Sequence, residues 1–145
     1  MIKRICVITN RYPSINRSVN TFVENLVNEI VDQDVEVVVI NPQSITRVYI
    51  RGRYFLPGVR VRITGKGRKV IVYSPKFLST STKRKSIINT AVLTLYNYKK
   101  ATLKVFKKLH NEEPFDAVYG HFIYEAGFSA VAIGNQFNIP SFVAY

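Results

Sequence analysis

Two short apolar runs with an amphipathic helix between them constrain this chain most strongly. Arg4–Thr9 (RICVIT) and Val35–Ile40 (VEVVVI) are apolar at successive positions, so each predicts a strand covered on both faces. Between them, residues 21–32 place apolar side chains at helical spacing behind a Thr21–Glu24 capping box. A strand, a helix and a strand with short joins predict a right-handed parallel βαβ unit.

The C-terminal third predicts the same kind of unit. The apolar run Ala117-Val118-Tyr119 ends at Gly120-His121, and the loop 122–125 follows it. Small residues at helical spacing then lead to Phe137, and a last strand runs over 141–145. We therefore expect a fourth and a fifth strand with a helix between them.

The middle of the chain predicts a hairpin and a long helix. Val59–Ile63 alternates with period two, Gly65-Lys66-Gly67 is a turn signal, and Lys69–Tyr73 is the returning strand. The glycine pair is not a phosphate-binding loop, because no Ser or Thr and no helix start follow it. Lys83–His110 carries an apolar stripe that includes Ala91, Val92, Leu95 and Phe106.

Together these elements predict one α/β domain over residues 1–145. We expect a Rossmann-like, three-layer α/β/α arrangement with a five-stranded parallel sheet in the order 3-2-1-4-5 and helices on both faces. Counted in this way, 35–40 is the second strand and 69–73 the third. Because the sequence ends in a strand, we also expect the chain to be part of a longer protein.

The composition indicates the cellular compartment in which the protein is expected. The chain has 145 residues, a formal net charge of +12 and one cysteine, Cys6, so a disulfide framework is excluded. No apolar run approaches the roughly 18 residues of a membrane span, and the N-terminal run is too short for a signal peptide. We therefore expect a cytoplasmic protein.

The positive charge is concentrated in the middle of the chain. Between Val37 and Asn111 there is no Asp or Glu, yet 17 of the 21 Lys and Arg residues lie there. Such a field attracts polyanions. The segment 43–57 is either a solvated connector or an interaction surface, and the long helix has either a solvated basic face or a face for anionic membrane. The candidate contacts with membrane or with an acceptor phosphate are Arg47, Arg51, Arg53, Lys83, Arg84, Lys85, Lys100 and Lys104.

His121 is the main candidate for chemistry. It is one of two histidines, and it follows the fourth strand at the edge of the sheet where ligands of parallel α/β folds bind. One interpretation is a half-buried structural histidine, and the other is a polar group that positions a substrate.

Six segments, in their order along the chain, carry a family pattern. They are Thr9–Pro13 (TNRYP), Phe22–Leu26 (FVENL), Val35–Pro42 (VEVVVINP), Tyr73–Phe77 (YSPKF), Phe115–Phe122 (FDAVYGHF) and Ile139–Tyr145 (IPSFVAY). This set resembles the N-terminal domain of glycosyltransferase family 4, whose members are retaining enzymes of the GT-B fold. The resemblance spans the whole chain.

The resemblance implies an acceptor-binding domain that faces a second, donor-binding domain across a cleft. The implied reaction moves a sugar from a nucleotide-sugar to a lipid-linked or cell-surface acceptor at the inner face of the membrane. It implies His121 as the catalytic residue, no metal and no cofactor, since the nucleotide-sugar is a co-substrate held mainly by the second domain. The implied substrate-binding residues are Asn10, Arg11, Tyr12, Arg17, Phe122, Tyr124 and Glu125.

Two departures from the family pattern matter. The first loop, 10–20, contains no glycine, so contact with the donor diphosphate through this loop is not expected. The first histidine of the family's H-x-H pattern is Tyr119 here.

An alternative is a basic nucleic-acid-binding module, because basic and aromatic residues interleave over 51–55, although no helix-turn-helix, RRM or OB pattern is present. A stand-alone nucleotide binder is disfavoured, because the first loop lacks G-x-G-x-x-G.

Overall fold

A computed structural model describes residues 1–13, 21–50, 55–80 and 90–144. In this part of the chain the strands alternate with helices, as the apolar runs predict. The elements are β1 Arg4–Thr9, α1 Thr21–Asp32, β2 Glu36–Ile40, β3 Gln43–Ser44, α2 Ile45–Ile50, β4 Val59–Ile63, β5 Lys69–Tyr73, β6 Lys76–Phe77, α3 Thr90–Glu112, β7 Ala117–His121, α4 Phe128–Phe137 and β8 Ser141–Ala144.

The central sheet has six strands in the order β4-β5-β2-β1-β7-β8. Five of them are parallel, and β4 is antiparallel to β5 in the predicted hairpin. The strand order therefore differs from the predicted five-stranded order 3-2-1-4-5, because β4 extends the sheet beyond β5. The neighbours of the five parallel strands follow the predicted sequence. A separate pair, β3 and β6, was not predicted.

Helices cover both faces of the sheet, because side chains alternate along each strand. Val7 and Val39 face α1, whereas Cys6, Val38 and Val118 face the other side. The core under α1 consists of Val7, Tyr12, Val23, Val27, Val31, Val37, Val39, Val70 and Val72. The core under α3 and α4 includes Ile8, Ile40, Tyr98, Phe106, Leu109, Phe115, Ala130 and Ile133. This three-layer α/β/α arrangement with a mostly parallel sheet is compatible with a Rossmann-like fold.

Helix α3 differs from its predicted apolar stripe. The buried positions are Thr94, Tyr98, Thr102, Phe106 and Leu109. The predicted stripe member Val92 is 57% exposed, so that assignment is wrong. The buried face is centred on side chains at i, i+4 and i+8 that include two threonines, which a search for purely apolar positions passes over. The predicted helix start at 83–89 lies outside the described residues.

The segment 43–50 is ordered and not a simple connector. Gln43 and Ser44 form β3, and a short helix, α2, follows directly. The Gln43 side chain is buried and donates to the carbonyls of Leu56 and Ser74, while it accepts from the Leu56 amide. One amide side chain therefore joins three segments, and no periodicity in the sequence indicates such a role.

Candidate active site at the carboxyl edge

The carboxyl ends of the central strands meet at one edge of the sheet, which we call the carboxyl edge. There, β1 ends at Thr9, β2 at Ile40, β5 at Tyr73 and β7 at His121. Loops that leave such an edge form the ligand sites of parallel α/β folds. The candidate functional residues are therefore assessed by their place at this edge.

His121 is the last residue of β7. The prediction that it lies in the loop after the strand is therefore wrong. It pairs in register with Thr9 of β1 and Ala144 of β8. The residue is only 6% exposed, and its ring lies between Phe22 and Phe122 at centroid distances of 5.7 and 4.5 Å. The strand and the two aromatic rings therefore fix the orientation of the imidazole.

Tyr119 lies two residues before His121, so both side chains are on the face of the sheet that α1 covers. The Tyr119 hydroxyl is 3.0 Å from His121 Nδ1, which is hydrogen-bonding distance. Burial lowers the pKa of His121 and raises the pKa of Tyr119. Both groups are therefore neutral near pH 7.

A sharp turn, Ile123–Gly127, follows Phe122, which has a positive φ of 75°. Glu125 within the turn has φ 5° and ψ −60°, a sparsely populated backbone conformation. The turn packs closely on β7: a Cβ atom added to Gly120 would lie 2.7 Å from Gly127 Cα and from the Ala126 oxygen. These two glycines therefore let the turn place Glu125 directly beside the end of the sheet.

Glu125 is the buried carboxylate of the carboxyl edge, with 7% exposure. Its Oε2 accepts a hydrogen bond of 2.9 Å from Asn10 Nδ2, which joins the loop after β1 to the turn after β7. Burial raises the pKa of Glu125, and the charge of Arg47 and the bond from Asn10 partly oppose that rise. Burial, together with the Glu125 charge, raises the pKa of Tyr98, whose buried hydroxyl has no partner among the described residues.

Hydrogen bonds from Arg60 and Asn41 hold the start of the first loop in place. Arg60 of β4 donates to Ser74 Oγ at 2.7 Å and, more weakly, to the carbonyls of Tyr12 and Pro13 at 3.5 and 3.4 Å. With its amide oxygen turned toward Arg60, Asn41 accepts from that guanidinium and donates to the carbonyls of the first loop. Sequence analysis missed both residues, although the alternation in β4 could have placed Arg60 on the α1 face.

The predicted substrate-binding residues separate into two groups. Asn10 and Glu125 come together, and Arg11, Phe122 and Tyr124 are exposed at the same edge. Tyr12 is different, because its ring packs within the core under α1, and its part in substrate binding stays a prediction. The first-loop prediction for Arg17 lies outside the described residues.

The predicted basic contacts are only partly described. Arg51, Arg53, Lys83, Arg84 and Lys85 lie outside the described residues, and Arg47 is exposed on α2. Lys100 and Lys104 converge with a third lysine on an open cleft of about 320 Å³ between α3 and the strand pair β3–β6. The cleft is lined by Ile45, Lys76, Phe77, Leu78, Asn97, Lys100, Ala101 and Lys104.

Large apolar side chains are exposed beside this edge. We call them the apolar patch, and each is 43–57% exposed: Val92, Leu93, Tyr96, Ile123, Tyr124, Phe128 and Val131. They belong to α3, α4 and the 123–127 turn, which pack on one another. Lys99 Nζ lies 5.8 Å from the ring centroids of both Tyr96 and Phe128. These exposed apolar side chains, with Lys99 against two of them, form a candidate interaction surface.

Within the described ranges, no group of three or more His, Cys, Asp or Glu side chains is arranged to hold a metal ion. None of the helices described for this chain is both long enough and apolar enough to cross a bilayer.

Comparison with known proteins gives no relative: no protein-family model matches this sequence, and no curated protein matches it.

Proposed function

We propose that this chain is the acceptor-binding domain of a GT-B-type glycosyltransferase, which moves a sugar from a nucleotide-sugar to a lipid-linked or cell-surface acceptor. The observation that carries the proposal is the packing of His121 against Phe22 and Phe122 at the carboxyl edge, where Asn10 also bridges to Glu125. The family resemblance of the strand exits supports it. A donor-binding domain is the partner that this function requires.

The proposed reaction gives each group a role. During retaining transfer the sugar carbon develops positive charge, the leaving diphosphate develops negative charge, and the acceptor hydroxyl loses a proton. A neutral imidazole such as His121 holds a sugar hydroxyl in place by a hydrogen bond. The exposed rings of Phe122 and Tyr124 pack on the apolar face of a sugar, and Asn10 and Glu125 hold the two loops at a fixed separation.

The domain itself requires no metal ion and no cofactor in this proposal, because the nucleotide-sugar is a co-substrate bound by the partner domain. Isolated residues 1–145 should therefore show no measurable binding of UDP- or GDP-sugars by calorimetry. Micromolar affinity for any of them would assign this domain to the donor side instead.

We propose further that the apolar patch and the lysines of α3 hold the domain on the cytoplasmic face of an anionic membrane. Helix α3 carries Lys99, Lys100, Lys104, Lys107 and Lys108, and its first acidic residue is Glu112 at its last position. Exposed aromatic and aliphatic side chains insert into the headgroup region, and lysines pair with lipid phosphates. A lipid-linked acceptor would then lie close to the carboxyl edge.

The function is tested with the full-length enzyme. The reading frame beyond Tyr145 should encode about 200 further residues with a second strand–helix series and two glutamates about seven residues apart. His121→Ala should lower turnover about 100-fold. Unchanged turnover per folded molecule, together with a large loss of thermal stability, would make His121 a structural residue and remove the central support for the proposal.

Vesicle co-sedimentation tests the membrane surface. Each basic residue near an anionic surface contributes about 1 kcal/mol, so the double variant Lys100→Gln/Lys104→Gln should bind anionic vesicles roughly 10- to 30-fold more weakly. A matched control, Lys3→Gln/Lys69→Gln, removes the same charge from exposed positions directly before β1 and at the start of β5. Equal loss in both variants would show that net charge, and not the α3 surface, drives vesicle binding. Stronger competition by nucleic acid at physiological salt would favour the nucleic-acid-binding alternative.

A further inference from the structure

The hydrogen bond between Tyr119 and His121 determines which ring nitrogen of His121 carries the proton. In a neutral histidine one nitrogen donates and the other accepts, and the partner of one nitrogen fixes the role of the other. Tyr119 contacts Nδ1, so Nε2 remains for a ligand. The direction of this one hydrogen bond therefore sets the chemistry of the site.

We propose that Tyr119 is a positioning residue that donates its hydroxyl proton to His121 Nδ1 and so holds the imidazole in the Nε2–H tautomer. This inference rests on the proposed function, since it specifies how His121 meets the sugar. The Nε2–H group is a hydrogen-bond donor for a hydroxyl or a diphosphate oxygen of the substrate. In this tautomer His121 cannot accept a proton at Nε2 and is not a general base.

Two points support donation by Tyr119. A phenol is a stronger donor than acceptor, because its oxygen lone pair is delocalised into the ring. The ring is also held in place by Phe22 and Phe122, so Nδ1 stays directed at the hydroxyl.

The chain contains its own reference for this measurement. His110 Nδ1 accepts a hydrogen bond of 3.0 Å from the backbone amide of Phe115. An acceptor from an amide cannot carry a proton, so neutral His110 must be the Nε2–H tautomer. Its ring stacks on Phe106 and contacts Phe137, which keeps it apart from the carboxyl edge.

The test is ¹⁵N NMR of both imidazole rings in the full 145-residue chain at pH 8. The expected result is the Nε2–H pattern for His110 and for His121, with a preference of about fivefold or more at His121. Tyr119→Phe should convert His121 to a mixture of tautomers and leave His110 unchanged. Tyr98→Phe removes a hydroxyl that has no described partner, so it should change neither ring.

Each outcome decides the matter. An Nδ1–H pattern at His121 in the wild-type chain overturns the proposal without any variant, so a Tyr119→Phe protein that fails to fold leaves the test intact. A wild-type preference that survives Tyr119→Phe also overturns it. Because the measurement involves no sugar, a correct tautomer in a chain that binds no acceptor would refute the glycosyltransferase proposal and leave the role of Tyr119 standing.

Discussion

Charged side chains have different kinds of partners at the two ends of the central sheet. At the amino end, the Arg4 guanidinium donates to Glu36 at 3.0 Å and to the carbonyl of Glu113, and it stacks 4.3 Å over the Phe115 ring. The Asp116 carboxylate there accepts from the backbone amides of Lys3 and Arg4. Each of these charged groups has partners that stabilise it.

At the carboxyl end, Arg60 is partly buried and Glu125 is buried, and their partners among the described residues are neutral hydrogen-bonding groups with no opposite charge in an ion pair. All nine acidic residues belong to the described part of the chain, and none of their carboxylates lies within 4.0 Å of the Arg60 guanidinium. Burial lowers the pKa of Arg60, and the Nε atom is buried without a partner in the described residues. The Glu125 carboxylate accepts one hydrogen bond from the described residues, from Asn10, and makes no ion pair with any of them.

Burying a charge without an opposite charge costs stability, so chains retain it where a ligand uses it. The comparison suggests that the amino end contributes stability and that the carboxyl end holds a site. Four tests examine this division, and they are ordered by expected effect.

The largest effect should come from Gly120→Ala. The new Cβ would lie 2.7 Å from the backbone of Ala126 and Gly127, and backbone atoms cannot move aside as a flexible side chain can. We expect a loss of about 3 kcal/mol in unfolding free energy, measured by urea denaturation. Gly65→Ala is the matched control, since nothing lies within 4 Å of its Cβ, and it should change stability by less than about 1 kcal/mol. Equal losses would show that the turn is not packed on β7.

The second test replaces Arg4 and Arg60 by methionine, which retains much of the side-chain volume. Arg4→Met removes charge-assisted hydrogen bonds and the stacking on Phe115, so we expect a loss of about 2–3 kcal/mol. Arg60→Met removes a partly buried charge that has no ion-pair partner among the described residues, along with its hydrogen bonds, so the loss should be about 1 kcal/mol or less. Comparable losses from both variants would contradict the division between the two ends.

The helices and strands could be predicted from the sequence wherever a hydrophobic period or an apolar run defined them. Strands β1, β2, β5, β7 and β8, the β4–β5 hairpin and the unit around α1 follow from apolar runs and turn residues. The pair β3–β6 did not follow, because two-residue strands have no period to detect, and the Gln43 amide that supports them looks like any polar loop residue.

The candidate site was predictable in place but not in detail. The strand exit put His121 at the correct edge, because parallel strands end together. The contact of Phe22 with the His121 ring depends on where α1 lies relative to the sheet, and Tyr12 packs in the core because of its tertiary contacts. No local sequence pattern indicates either feature. Arg60 was missed because its role depends on distant partners, Ser74 and the carbonyl of Pro13.

The third test is Asp116→Asn at the amino end. The backbone amides of Lys3 and Arg4 lower the pKa of Asp116, so its ionised form is favoured by folding. The stabilisation it gives is therefore complete above the carboxyl's ordinary titration range and is lost as the pH falls through the lowered pKa. The variant should be less stable than wild type at pH 7, by less than Arg4→Met, and the difference should shrink below pH 4.

Urea denaturation at pH 7, 5, 4 and 3 checks this dependence. Glu29→Gln removes the same charge from an exposed position of α1 and is the control. A difference between Asp116→Asn and wild type that stays constant with pH would show that the carboxylate is not held by the two amides.

The smallest expected effect has the opposite sign and belongs to Glu125→Gln. Burial raises the pKa of Glu125, so folding disfavours its ionised form. Relative to the isosteric amide, wild type should be equally stable below the ordinary carboxyl pKa and should become less stable as the pH rises through the raised pKa. At pH 7 the Gln variant should be more stable by less than about 1 kcal/mol, and at pH 4 the two should be equal. The amide can still accept the hydrogen bond from Asn10, so a gain in stability accompanied by weaker acceptor binding would identify a carboxylate kept for function. A Gln variant less stable than wild type at pH 7 would make Glu125 a structural residue, and the contrast between the two ends of the sheet would then rest on Arg60 alone.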